Sequence, residues 1–247
     1  MITTTMKKCL VLSFLFCSLT ACDEILDVLA SSTSTTPGIS QSEASSGLKQ
    51  ALEKGVLSGT SFLGKTDGFL KNQAHKILLP QEVQDAAKKI QGNPITNRLA
   101  GPYLDKLVTS MNRGAENAMS EAKPIFMNVI RSMSISDAIA IVTGGEGAAT
   151  NYLQKATSSK LQQKFYPVIE NSLEKVNINE PWTKVSSAYN TVMGKAVQTD
   201  LNAYVTDKAI NALFKQIRLE EDKIRANPIA RTTDLLKKVF GYADTQK

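Results

Sequence analysis

The sequence predicts an all-α fold, a single irregular multi-helix domain behind a cleaved lipoprotein signal peptide. Three observations carry this. Apolar residues recur at the three- and four-residue spacing of a helix face over most of residues 40–247. Capping side chains and Pro or Gly breaks divide that pattern into helix-sized pieces. No stretch shows the period-2 alternation of a half-buried strand, and no internal repeat is found.

The first 21 residues form the signal. Lys7-Lys8 is a short positive region, Cys9 to Leu19 is an apolar run, and small residues lead to Cys22, the three-part layout of an export signal. The run stops at Asp23-Glu24 and falls short of the roughly 20 apolar residues that cross a bilayer. Met6, directly before the lysines, competes with Met1 as the start. Leu19-Thr20-Ala21-Cys22 resembles the bacterial lipoprotein cleavage box, which implies that Cys22 becomes the mature N-terminus and carries acyl chains such as palmitate. Asp23 after it resembles an inner-membrane retention signal, so the inner membrane is favoured over the outer. The only other cysteines, Cys9 and Cys17, leave with the signal. No thiol then remains for a disulfide, a zinc site or a nucleophile.

Residues 22–39 read as the lipidated Cys and a flexible tether, centred on the Ser/Thr/Pro/Gly run from Ser31 to Gly38. The helical domain follows over residues 40–247. Ser40-Gln41-Ser42-Glu43 is a capping box, and Ala44, Leu48, Ala51, Leu52 and Val56 continue at helical spacing until Gly59 to Gly64. Asp67-Gly68-Phe69-Leu70 predicts a capped short helix, and Lys76 to Pro80 an extended crossing segment. Pro80 to Gln91 is helical, with Gly92-Asn93-Pro94 as its stop.

The longest element is predicted from about Pro102 to Met133, where Leu104, Leu107, Val108, Met111, Ala115, Ala118, Met119, Ala122, Phe126, Val129 and Met133 share one side. Pro124 falls on the solvent side and predicts a bend toward the core. Ser136-Asp137 begins a brief helix that Thr143-Gly144-Gly145 ends. Helices over Gly147 to Thr157 and Ser159 to Val176 follow, the second kinked near Pro167. Glu180-Pro181-Trp182 opens a helix to about Lys195. Asp200 caps Leu201 to Ala226, Asn227-Pro228 breaks it, and Thr232 or Thr233 caps Asp234 to Phe240, with Gly241 at a C-cap position.

Charge and composition narrow the function. The formal net charge is +6, and loss of Lys7 and Lys8, with no acid before Cys22, leaves about +4. That excess suits an anionic membrane surface. It forms no concentrated basic stripe, and aromatics are 6%, so no nucleic-acid partner is expected. His75 is the single His, which argues against metal sites built from N and S ligands, and no cofactor motif is present. Gly144-Gly145-Glu146-Gly147 opens a helix whose amides suit an anion, but no strand precedes it and no P-loop Lys follows, so a tight turn is expected.

Two polar groups remain as candidate sites. Asn112, Arg113 and Glu116 lie at the margin of the long apolar stripe, spaced for a local ion pair. Glu221 falls inside the stripe formed by Ile210, Leu213, Phe214, Ile217 and Ile224. A carboxylate facing a core needs a cation or hydrogen bonds. Arg225 is four residues on, and Arg231 lies past the Asn227-Pro228 break and within reach of folding back. The prediction is a partly buried Glu221 paired with an Arg, tying the last two helices.

Several short runs occur in a fixed order along the chain. They include Ser45 to Lys49, Asp67 to Leu70, Ile77 to Pro80, Met111-Asn112-Arg113 with Glu116, Gly144-Gly145 with Ala149-Thr150, and Glu220-Glu221 through Thr233. By these the domain resembles the bacterial family known as domain of unknown function 4197, from about Ser40 to Gly241. The resemblance implies an exported helical domain and supplies no reaction.

The function expected is a lipid-anchored, periplasm-facing interaction or structural module, bound to the membrane through Cys22 and to an envelope protein. Two alternatives stand beside it. One is a helical binder of an apolar ligand such as lipid, its cavity lined by Met111, Met119, Met127 and Met133. The other is a hydrolase using Glu221 or Glu116 with an Arg.

Overall fold

A computed structural model describes residues 38–92, 94–177, 182–183 and 200–246. The signal, Cys22, most of the tether and nearly all of the helix predicted from Glu180 to Lys195 lie outside the described residues; Trp182, inside them, is buried. Among the described residues the fold is all-α, with no β-strand.

Helix α1 spans Gln41–Gly64. Its start is the capping box: Ser40 Oγ accepts from the Glu43 amide at 3.1 Å, and Glu43 accepts from the Ser40 amide at 2.9 Å. The helix continues through Gly59, which is buried. Helix α2 spans Gln81–Gly92 and α3 spans Pro94–Ala118. The long rod thus starts eight residues before Pro102, with Pro94 in the first helical position and Pro102 inside the helix.

The rod is also not continuous. A 3₁₀ turn at Met119–Glu121 separates α3 from α4, Ala122–Ser132. The break sits just ahead of exposed Pro124, whose ring opposes the carbonyl four residues back and leaves it without its helical donor. Helix α5, Ile135–Thr143, is capped two residues earlier than Ser136: Ser134 Oγ accepts from the Asp137 amide at 3.1 Å.

Helix α6 runs unbroken over Ala148–Glu174, with Pro167 inside it. The predicted division near Ser159 does not form. Thr157 and Ser158 donate back to the Leu153 and Gln154 carbonyls at 2.7 and 2.6 Å, so their hydroxyls serve the same helix instead of capping a new one. Helix α7 spans Leu201–Ala226 from the Asp200 cap, and α8 spans Asp234–Asp244 from the Thr233 cap. Gly241 lies within α8, and the cap falls at Thr245.

Helix α1 is the central element. It packs on α4, α5, α7 and α8, while α6 lies between α3 and α7. Gly47 makes the α1–α8 approach possible: a Cβ there would sit 2.6 Å from Val239 Cγ2. The core is continuous and includes Phe69, Phe126, Phe165, Met111 and Met119, all fully buried. Phe126 and Phe214 meet edge-to-face at 5.8 Å between centroids. No single helix among the described residues is long and apolar enough to cross a membrane.

Candidate functional site

Glu221 lies on the face of α7 turned toward the α5–α6 junction and is 8% exposed. Four donors surround its carboxylate. Oε1 accepts from the Ala149 amide at 3.1 Å and from Arg225 Nε at 2.9 Å. Oε2 accepts from the Thr150 amide at 2.8 Å and the Thr150 hydroxyl at 2.7 Å. Those amides belong to the second and third residues of α6, the groups that a helix N-cap normally serves.

The N-cap of α6 is Gly147, which has no side chain to offer and adopts a left-handed φ of 73°. Glu221 therefore caps α6 from another helix, with its negative charge at the positive end of the dipole. The anion that the glycine turn at Gly144 to Gly147 suits is the chain's own carboxylate. Burial pushes the Glu221 pKa up, but the hydrogen bonds from Thr150, Arg225 and Ala149 outweigh it and hold the group below its ordinary value.

Arg225 completes the junction. It is 6% exposed and donates to the Val142 and Ile141 carbonyls at 3.1 and 2.9 Å, close to the C-terminus of α5. A cation there complements the dipole of α5 as Glu221 complements that of α6. Its guanidinium also lies 5.6 Å from the centre of the Phe240 ring on α8. One i,i+4 pair thus ends α5 and begins α6.

Arg231 does not reach Glu221. It folds back on its own helix end, donating to the Ile224 and Arg225 carbonyls at 2.9 and 2.8 Å and pairing with Asp244 at 2.7 Å. The tie between the last two helices is therefore Arg231 with Asp244, and the Glu221 tie runs to α5 and α6. The free carbonyls at the end of α7 and the Asp244 carboxylate together take up Arg231 and leave Glu221 to Arg225.

The second group is also more buried than its place on the stripe's margin predicts. Asn112 is 0% and Glu116 5% exposed. The connector between α1 and α2 covers them. Asn112 takes both backbone groups of Ile77, accepting from its amide at 2.8 Å and donating to its carbonyl at 2.9 Å. Glu116 Oε1 accepts from the Phe69 and Leu70 amides at 3.1 and 3.2 Å, and Oε2 from Arg113 at 2.5 Å.

Arg113 continues to Asp67 at 2.6 Å. Hydrogen bonds from Lys71 and then Arg113 lower the Asp67 pKa. No short helix forms at Asp67 to Leu70. Asp67 has a left-handed φ of 68°, and the Phe69 and Leu70 amides turn to Glu116. The expected local Arg113–Glu116 pair forms, and the group around it also clamps the connector.

No hydrogen bond or ion pair joins the Asn112–Arg113–Glu116 group to the Glu221–Arg225 pair among the described residues. Among those residues no three His, Cys, Asp or Glu side chains converge as metal ligands would. The apolar cavity beside Glu221 holds about 20 Å³, the space of one water and far too little for an acyl chain. Met111, Met119 and Met133 are buried in the core.

Sequence reasoning missed the partners more than the ties. Thr150 has no signal of its own, because its role depends on the distant Glu221. The stripe of Tyr204, Lys208, Asn211 and Lys215 on α7 was legible at helical spacing and passed unremarked.

Fold and ties together define a class: all-α domains in which buried charges terminate helices and clamp a connector. The chain belongs to the family described as protein of unknown function, DUF4197, whose model matches residues 38–241. No curated protein and no solved structure is similar enough to the chain to match it.

Proposed function

We propose that this protein is a lipid-anchored module facing the periplasm, acting in the cell envelope through a protein partner and not through bond chemistry of its own. The observation that carries this is Leu19-Thr20-Ala21-Cys22 at the end of an apolar run of export-signal length. Cleavage before Cys22 and acylation of it attach the domain by more than one chain, which stable anchoring requires. The stretch from Asp23 through the Ser/Thr/Pro/Gly run then holds the domain off the bilayer, ending before Ile39, which is buried in the fold, and Asp23 favours the inner membrane.

The folded part is consistent with this reading. The carboxylates that a hydrolase would use, Glu221 and Glu116, are buried and occupied by backbone amides and arginines. A general base needs a lone pair within reach of substrate, and these are engaged in the fold.

The test compares cells making the parent chain and Cys22→Ser, grown with labelled palmitate and fractionated. The reading expects label and inner-membrane sedimentation for the parent, and in the variant loss of the label and a chain that keeps residues 1–21. A parent chain that carries no label and is released with the periplasmic contents overturns it. Crosslinking in intact envelopes then identifies the partner.

A further inference from the structure

Tyr204, Lys208, Asn211 and Lys215 are spaced i, i+4, i+7 and i+11 on α7 and so share one face. That face borders a cleft of about 340 Å³, at the lower end of ligand-pocket size. The extended segment that forms the opposite wall adds His75 and Lys76. The Tyr204 hydroxyl donates to the Leu78 carbonyl at 2.9 Å and fixes that wall against α7.

Three lysines therefore meet at one cleft, and no Asp or Glu lines it. None of the three forms an ion pair among the described residues. Lys71, Lys223, Lys237 and Lys238 each have a carboxylate partner, whereas Lys155 and Lys160 on α6 have none among the described residues; what sets the cleft apart is that three such lysines line one concavity. The adjoining cleft across Lys76 does contain an acid, Asp105.

His75 adds an unmet polar atom. It is 7% exposed, and its Nε2 lies 3.2 Å from Gln216 Oε1, a carbonyl oxygen that only accepts. With Nε2 donating to Gln216, Nδ1 is a buried acceptor without a partner, which suits the protonated oxygen of a phosphate monoester and not its charged oxygens. Burial, and then the Lys215 charge, lower the His75 pKa against the opposing Gln216 bond.

Lysines that line one cleft without counterions repel one another, offset in part by the Tyr204 ring 5.3 Å from Lys208 Nζ, and a cleft with low-dielectric walls strengthens their joint field. Each ammonium is a compact charge with three donors, suited to an oxyanion with several acceptor oxygens. We propose that this cleft binds the phosphate oxyanion of a phosphate ester, presented either as a free small molecule or as the headgroup of an anionic lipid. The proposal goes beyond the anchored-module reading and does not rest on it.

The test uses residues 22–247 carrying Cys22→Ser, the mature chain, so that neither the signal nor an acyl anchor contributes. Inorganic phosphate and glycerol phosphate are titrated by calorimetry. Vesicles of phosphatidylglycerol or of phosphatidylcholine are tested by co-sedimentation. Lys208→Ala/Lys215→Ala is expected to weaken binding by about tenfold or more, since charge-assisted hydrogen bonds are the strong ones. Lys155→Ala/Lys160→Ala, exposed on α6, removes the same charge and is expected to change nothing. Binding of the soluble phosphates identifies a free ester. Binding confined to phosphatidylglycerol vesicles and lost with Lys208 and Lys215 identifies a lipid headgroup. Absence of binding in both arms, or equal loss in both lysine pairs, overturns the proposal. If the alanine pair melts early, Lys208→Gln/Lys215→Gln carries the same comparison.

Discussion

Removing the charge of Glu221 leaves Arg225 buried beside two helix ends that depend on it. Glu221→Gln is expected to cost about 3 kcal/mol, the scale of breaking a buried ion pair from one side. Urea denaturation measures it, and an unchanged midpoint would contradict the tie. The pH dependence has a definite sign. The folded Glu221 pKa lies below the ordinary 4.5, so on acidification the unfolded chain takes up the proton first. Its contribution is complete above pH 4.5 and is lost as the pH falls through the folded value. Denaturation midpoints below pH 4.5 should fall less steeply for Glu221→Gln than for the parent. Gly147→Ala tests the same junction: a Cβ there meets the Arg218 guanidinium and strains a left-handed φ, for a loss of about 1–3 kcal/mol.

The helix starts at Ser40, Asp200 and Thr233 were legible because capping is local: each side chain accepts from an amide three residues on. Ser40→Ala should cost about 1 kcal/mol in thermal or urea unfolding, from loss of the capping box. Glu221 was legible for a similar reason, since its place inside an apolar stripe is a property of one helix. The rest depended on contacts between elements. A helical wheel gives the angle of Asn112 and Glu116 but not the connector that lies over them. It follows a periodic stripe across the 3₁₀ turn at Met119–Glu121, because the stripe keeps its side through a small bend. Gly47 shows no sequence signal either, since Val239 stands at the far end of the chain. Gly47→Ala should separate α1 from α8 and lower stability by about 1–3 kcal/mol, the usual range for overpacking.

At the scale of the whole molecule, the chain divides its polar residues between two tasks. Glu221, Arg225, Arg231, Asn112 and Glu116 are buried and hold helix ends and a connector in place. The lysines at the α7 cleft are exposed and have no carboxylate partner among the described residues, as the proposed oxyanion site requires. With no thiol after Cys22, the domain is stabilised by its core and these buried ties and not by disulfides. The account stands most directly on what happens at Cys22. Its central test is the intact mass of the protein extracted from its own membranes. The account predicts a chain beginning at Cys22 with added acyl mass, and the contrary result is a chain that retains residues 1–21 or carries an unmodified Cys22.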